Sequence, residues 1–412
     1  MIDEKLRPDA LVIGAGPAGL MAANVLAGGK YSVMLVDSMP SFGRKFLMAG
    51  KSGLNITNNC CEKDFLLAFE EYSSWIKPFI LKFGKEEVLR LCRELDQSTF
   101  VGSSQKVFLK SMKSSPFLRA WLRKLLKKDI LVKKNWKWNG ISLLKNNDSS
   151  SRYLHQFDTP CGKFTVLPKV TVMSLGGGSW KRLGSDGAWV SKLRPHLGKN
   201  DILPFRPANM GFKVVWSDYM KPFFGSPVKN VVLHIGNKMS KGEFVIVENG
   251  VEGGAIYDVS RNFTARNRDL TIDLLPNVTH DQIKRKMLQF SRKTTLTNNF
   301  RKNLRLSGVK LALLRDRYFP LSDHLDGFEQ KIKHFKLKLE KPVSVDRAIS
   351  TSGGISQMAL DKNLMLKNCP SIFCSGEMLD WSAQTGGYLI TACFSTGYHS
   401  GIRAKAYLDQ NG

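Results

Sequence analysis

Three glycines, Gly14, Gly16 and Gly19, stand in GxGxxG spacing within "VIGAGPAGLM". A turn of this kind handles anions. The first glycine permits a tight strand-to-helix turn, the second lets backbone amides approach a pyrophosphate, and the third lets helix and strand pack closely. Pro17 and Ala18 then open a helix whose N-terminus adds partial positive charge at the same place. Asp37 ends the next apolar run, "SVMLVD", with Ser38 beside it. A carboxylate there accepts from a ribose hydroxyl pair and repels a 2′-phosphate, which favours FAD or NAD over NADP.

A second glycine-rich segment lies near the end of the chain, "SGEMLDWSAQTGGYLITACFSTGYHSG" from 375 to 401. Residues 371–380 read as a strand ending at Gly376, and the turn at Gly386 and Gly387 opens a helix. FAD is long enough to need two anchors, and this segment offers the second. Glu377 or Asp380 can accept ribityl hydroxyls. The amides around Gly387, Tyr388 and Leu389 can stabilise the negative N1–C2=O edge of reduced flavin. The same glycines also suit a plain strand–helix packing joint. A further apolar strand, "KVTVMSLGGGSW", ends at Gly176 and Gly177, where flavoproteins often pass their cofactor; any strand-turn would read alike.

These segments need elements to hold them. "DALVIG", the helix from Pro17 and "SVMLVD" form a βαβ unit with a buried parallel strand. The uncharged stretch 10–29 imitates a signal peptide, yet its five glycines and proline fit a nucleotide-binding turn better. "SSPFLRAWLRKLLKK" (114–128) has apolar pairs at four-residue steps and predicts an amphipathic helix. Strand-like alternation marks 207–259, a basic helical pattern runs from 276 to about 333, and 335–350 returns to alternation.

The chain has 412 residues, 42% hydrophobic and 24% charged, a globular composition with room for two or three domains. Its 62 basic residues outnumber 35 acidic ones, for a net charge of +27. Such a field attracts nucleic acid, acidic membrane surface or phosphorylated ligands, and it is equally compatible with a basic protein lacking any polyanion partner. Seven cysteines without a CxxC pair or metal-type spacing predict reduced thiols, a cytoplasmic setting and no metal site. No stretch reads as a membrane span.

Taken in order, "GAGPAGL", "GRKFLMAGKSGLNITN", "GGGSWKRLGSDG", "GGAIYDVS", "IDLLP" and "GEMLDWSAQTGGY" resemble the BaiN/RdsA-type NAD(P)/FAD-dependent flavoproteins. The segment "VGSS…VF…MK.SP.LRAWL" (101–122) resembles a largely uncharacterised bacterial subgroup. The resemblance implies an α/β fold: a Rossmann-like, three-layer ββα FAD-binding domain interrupted by a β-barrel-like domain that carries a helical insert. The expected boundaries are 1–195 and 346–412 for the FAD domain, 196–270 and 334–345 for the β-rich domain, and 271–333 for the insert. By the same resemblance Gly43, Arg44 and Lys45 lie near the phosphates or adenosine, and Asn55, Thr57 and Asn58 match the "N.TN" tail. Gly376, Glu377, Asp380, Gly386, Gly387 and Tyr388 match the closing flavin motif. Two departures stand out. Gly53 and Leu54 replace the Arg and Cys of many relatives, and Leu389 replaces an Asn.

The resemblance implies an NAD(P)H-driven, FAD-dependent reduction of a conjugated double bond, with uracil to dihydrouridine in ribosomal RNA among the reactions of relatives. The positive charge favours RNA as acceptor. A small-molecule reductase or oxidase, or an RNA-binding flavoprotein without turnover, fits the same residues. Lys51, Ser52 and Asp186 occupy flavin-proximal loops and are candidate proton donors; each also suits a structural role in its loop. No second GxGxxG marks a nicotinamide site, so that donor would dock transiently or in a site without a recognised motif.

Overall fold

The computed structural model describes residues 6–49, 53–102, 105–145, 151–263, 267–318, 325 and 327–411. Lys51 and Ser52 lie outside the described residues. The chain divides into two compact units, one of residues up to Pro207 together with those from Ile349, the other Ala208–Ala348. The crossings fall at 207/208 and 348/349, where the sequence suggested 195/196 and 345/346.

The first unit is built on a five-stranded parallel sheet. Its order is Ile372–Cys374, Val170–Met173, Ala10–Ile13, Val33–Val36, Leu131–Lys133. The strands Ala10–Ile13 and Val33–Val36 are short, fully buried apolar runs because both faces are covered. Alternate side chains enter two different cores. Leu11, Ile13, Met34, Val36 and Met173 share one with Trp136, Trp138, Phe157 and Val166. The last four belong to, or directly precede, the antiparallel sheet Lys137–Lys145, Ser151–Thr159, Gly162–Val166. Ala10, Val12, Leu35 and Val172 enter the other, with Leu20, Phe394 and Leu408 from the helices Pro17–Leu26 and Tyr388–Asn411. Antiparallel sheet, parallel sheet and helices therefore form the three layers expected of the ββα arrangement.

The two helices sit unusually close. A Cβ on Gly397 would stand 2.2 Å from the Ala18 carbonyl oxygen, and one on Gly401 would stand 2.9 Å from Val25 Cβ. The predicted amphipathic helix forms as Ser114–Leu126 and buries Phe117, Leu118, Trp121 and Leu125. Asn55–Asn58 pairs with Lys106–Leu109, which also pairs with Thr99–Val101.

The second unit holds a six-stranded antiparallel sheet in the order Phe212–Lys213, Gly250–Glu252, Lys238–Val247, Pro227–Ile235, Asp269–Asp273, Phe335–Lys338. Its edges meet. Lys213 N–H donates to Lys341 O at 2.9 Å, Glu340 N–H to Lys213 O at 3.0 Å, and Val343 N–H to Gly211 O at 3.0 Å. These bonds join the segment just after Phe335–Lys338 to the Phe212–Lys213 edge and give the sheet its barrel-like form. The helices His280–Met287, Leu296–Leu304, Gly308–Tyr318 and Phe328–Lys333 follow the strand Asp269–Asp273. Thr279 caps the first of them: its hydroxyl accepts from Gln282 N–H, and the Gln282 side chain accepts from Thr279 N–H. One local expectation fails. Within the alternating stretch 207–259, Gly254–Val259 is a helix, because Ala255, Ile256 and Val259 share one helical face and are buried together.

Candidate functional site

The turn at Gly14 forms as its residue types require. Gly14 has φ +97°, and a Cβ there would stand 2.2 Å from Ser174 O on the neighbouring strand. A Cβ on Gly19 would stand 1.8 Å from Gly14 O, so helix and strand touch through backbone alone. Gly16 differs from both, because a Cβ on it would meet nothing within 4 Å. It precedes the helix Pro17–Leu26 with φ −79°, and no side chain caps the helix. The first amides of that helix are therefore open toward a groove.

One groove gathers both ends of the chain. Gly14, Gly16, Pro17, Ala18, Asp37, Ser38, Gly43, Arg44 and Lys45 line it together with Gly176, Gly376 and Glu377. Strand order makes this possible, since Ile372–Cys374 lies beside Val170–Met173, and that strand beside Ala10–Ile13. At the floor, the Ser174 and Ser375 hydroxyls are 2.6 Å apart, and Gly376 N–H donates to Thr396 Oγ1 at 3.0 Å.

The charged groups in the groove are arranged by hydrogen bonds. Asp37 accepts from Ala15 N–H (2.7 Å) and Met39 N–H (2.8 Å); burial raises its pKa and these two bonds oppose the rise. Each carboxylate oxygen retains acceptor capacity for a ligand hydroxyl. Lys45 Nζ donates to Glu377 Oε2 at 2.6 Å and to Ser179 Oγ at 2.8 Å, while Glu377 Oε1 accepts from Thr351 N–H at 3.0 Å. Arg44 Nε is buried without a hydrogen-bond partner among the described residues. The Cys393 thiol also lines the groove and is pushed up to about 12 by burial, so it stays neutral.

Other residues singled out by sequence lie elsewhere. Gly177 packs against Thr351 and Glu377 rather than lining the groove. Asp380 accepts from Gly353 N–H (2.9 Å), inside the strand Ser350–Ile355, and from Tyr72 OH (3.4 Å); burial raises its pKa. Asp186 is exposed and accepts from Ala188 N–H at 2.9 Å, a local turn.

A second cluster joins Asn55, Thr57 and Asn58 to Gly386, Gly387, Tyr388 and Leu389. Asn58 Nδ2 donates to Gly386 O at 3.2 Å and Thr391 Oγ1 to Thr57 Oγ1 at 2.9 Å. Gly387, at φ +95°, has Thr57 Cα 2.5 Å from where its Cβ would be. With its amide nitrogen turned toward them, the Asn55 side chain donates to the Thr57 and Val107 carbonyls. The Tyr388 ring packs edge-on against Phe65 and Phe69, and Leu389 packs beside it in the same core.

Sequence reasoning passed over several groove residues. Ser185 and Gly184 belong to the quoted "GGGSWKRLGSDG" and could have been found there. Trp136, Trp138, Met39 and Cys393 carry no local signal and arrive only through folding.

The groove suits a dinucleotide. Arg44, whose buried Nε has no hydrogen-bond partner among the described residues, and an uncapped helix N-terminus line the same groove, into which a side chain on Gly16 would project. Fold and groove define a class, the FAD-dependent oxidoreductases built on a Rossmann-like domain. The chain belongs to the family described as HI0933-like protein Rossmann domain, which matches residues 8–403. It is 23% identical over 415 residues to the 3-dehydro-bile acid delta(4,6)-reductase of Clostridium scindens, covering 95% of this chain and 98% of that protein. It is 22% identical over 405 residues to the ribosomal RNA dihydrouridine synthase of Haemophilus influenzae, covering 94% and 96%. In fold it resembles the open conformation of a flavocytochrome c3 fumarate reductase, with TM-score 0.55, 14% identity, and coverage of 98% of this chain and 78% of that one. Among the described residues no helix is long and apolar enough to cross a membrane, and no group of three or more His, Cys, Asp or Glu could hold a metal ion. The seven cysteines are free.

Proposed function

We propose that this protein binds FAD in the groove and uses NAD(P)H to reduce a conjugated carbon–carbon double bond. The observation that carries the proposal is the single groove lined by Gly14, Gly16 and Arg44 from one end of the chain and by Gly376 and Glu377 from the other. When bound, FAD supplies hydride chemistry that side chains lack. The helix N-terminus at Gly16–Ala18 and the Arg44 guanidinium hold the pyrophosphate, and Asp37 with Ser38 receives the adenosine ribose. Glu377 accepts a ribityl hydroxyl. The helix start at Gly387–Leu389, seated on Asn55–Asn58, faces the N1–C2=O edge with its amides. Lys51, Ser52 and Asp186 remain the proposed proton donors, to be tested by substitution.

Both curated relatives are named for chemistry that saturates a double bond. A specific observation favours ribosomal RNA over a small molecule as acceptor. Residues 282–305 contain eight Lys and Arg and no acid, and all eight are exposed. None of them forms an ion pair among the described residues. Phosphate neutralisation dominates RNA affinity, so these cations would give strongly salt-dependent binding.

The purified protein is expected to be yellow and to bleach anaerobically with NADH or NADPH. A knockout is expected to lose one dihydrouridine from ribosomal RNA. Colourless protein that takes up no FAD would refute the cofactor assignment; unchanged ribosomal RNA would refute the RNA acceptor and leave the small-molecule reductase.

A further inference from the structure

The Lys45–Glu377 pair is a cross-link between distant parts of the chain. Its partners are 332 residues apart, 2.6 Å in separation and largely buried, and both line the groove. Ser179 and the Thr351 amide fix the two ends. Of the charged groups lining the groove, Asp37 and Arg44 belong to the ribose and pyrophosphate in the proposed function. Lys45 and Glu377 bond to each other, and Glu377 is the one the proposed function also offers to a ribityl hydroxyl.

We propose that this ion pair sets the reduction potential of the bound flavin, Lys45 raising it and Glu377 lowering it. The inference rests on FAD occupying the groove. Two-electron reduction takes up two electrons and one proton, so the flavin becomes one unit more negative. A nearby cation favours that form and a nearby carboxylate opposes it. In the intact pair the two effects partly cancel. Removing one partner leaves the other's charge in a poorly solvated site, where it acts with less screening.

The test is a redox titration of the flavin's visible band against a reference dye, with dithionite as electron source, at one fixed pH for all variants. It compares the native holoprotein with Lys45→Met, Glu377→Gln, the double variant and Lys45→Arg. The expected result is a lower potential for Lys45→Met, a higher one for Glu377→Gln, and an intermediate one for the double variant. Lys45→Arg stays near native. Each single shift corresponds to at least about tenfold in the ratio of reduced to oxidised flavin affinity, or about 30 mV for a two-electron couple.

A merely structural pair gives a different result: both single variants lose oxidised and reduced flavin alike, and melt earlier. That outcome overturns the proposal, as do potentials that move in the same direction or stay unchanged. Native protein that takes up no flavin would instead refute the cofactor assignment.

Discussion

Gly16→Val separates cofactor binding from folding, because the three glycines of one motif have different surroundings. Gly16 lies at φ −79° and ψ −176°, an extended conformation that valine adopts without strain. Its Cβ would meet nothing within 4 Å, so the folded chain has no clash to relieve. The cofactor-free variant is therefore expected to keep its stability within about 0.5 kcal/mol, as for substitutions away from packed contacts. The valine side chain instead occupies the space that a phosphate needs against the helix amides. Losing about two charge-assisted hydrogen bonds, each worth about 1.5–3 kcal/mol, corresponds to a loss of FAD affinity of about a hundredfold to ten-thousandfold. Gly19→Ala should behave oppositely and fail to fold, since its Cβ would stand 1.8 Å from Gly14 O. Flavin-to-protein absorbance after reconstitution reads the first effect, and urea denaturation of the cofactor-free protein reads the second. Gly16→Val protein with a full flavin spectrum, or one that unfolds as readily as Gly19→Ala, would refute the reasoning.

Gly397→Ala should destabilise the protein by about 1–3 kcal/mol through overpacking, even though alanine is the better helix former, because Ala18 O would be 2.2 Å from the new Cβ; denaturant midpoints measure it. Acid sensitivity should centre on His155, fully buried between Trp138 and Thr171. The Trp138 indole N–H donates to its Nδ1 (3.2 Å), so the neutral ring carries its proton on Nε2, facing Thr171 Oγ1 at 2.8 Å. Burial lowers its pKa from 6.5 to about 3. The unfolded chain thus binds a proton that the native one does not, and stability falls as pH drops through about 6.5 toward 3, by about 2 kcal/mol at pH 5. His399, lowered to about 4 chiefly by burial, adds to the same limb. Denaturation at pH 8 and pH 5 should show the loss, and His155→Gln should reduce its slope.

The amino-acid sequence alone determined the features that depend on neighbours along the chain. A positive φ at Gly14 and buried strands at 10–13 and 33–36 are local consequences of backbone sterics and hydrophobic pattern, as is a helix opened by Pro17. The same holds for the helix Ser114–Leu126, whose four-residue apolar step placed Phe117, Leu118, Trp121 and Leu125 inside. Within the stretch 207–259 that alternation marked as strand, the helix Gly254–Val259 was missed because six residues are too few to separate a period of two from 3.6. Tertiary structure decided everything that joins distant segments. Gly387 needs to lack a side chain because of Thr57, Gly397 because of Ala18, and Asp380 serves Gly353 rather than open space. Trp136 and Trp138 reach the groove from a second sheet, and Lys45 finds Glu377 only after Ile372–Cys374 has taken its place beside Val170–Met173. The physical reason is that steric limits and periodicity act over a few residues, whereas a through-space contact depends on strand order, which emerges when whole layers bury their apolar faces together.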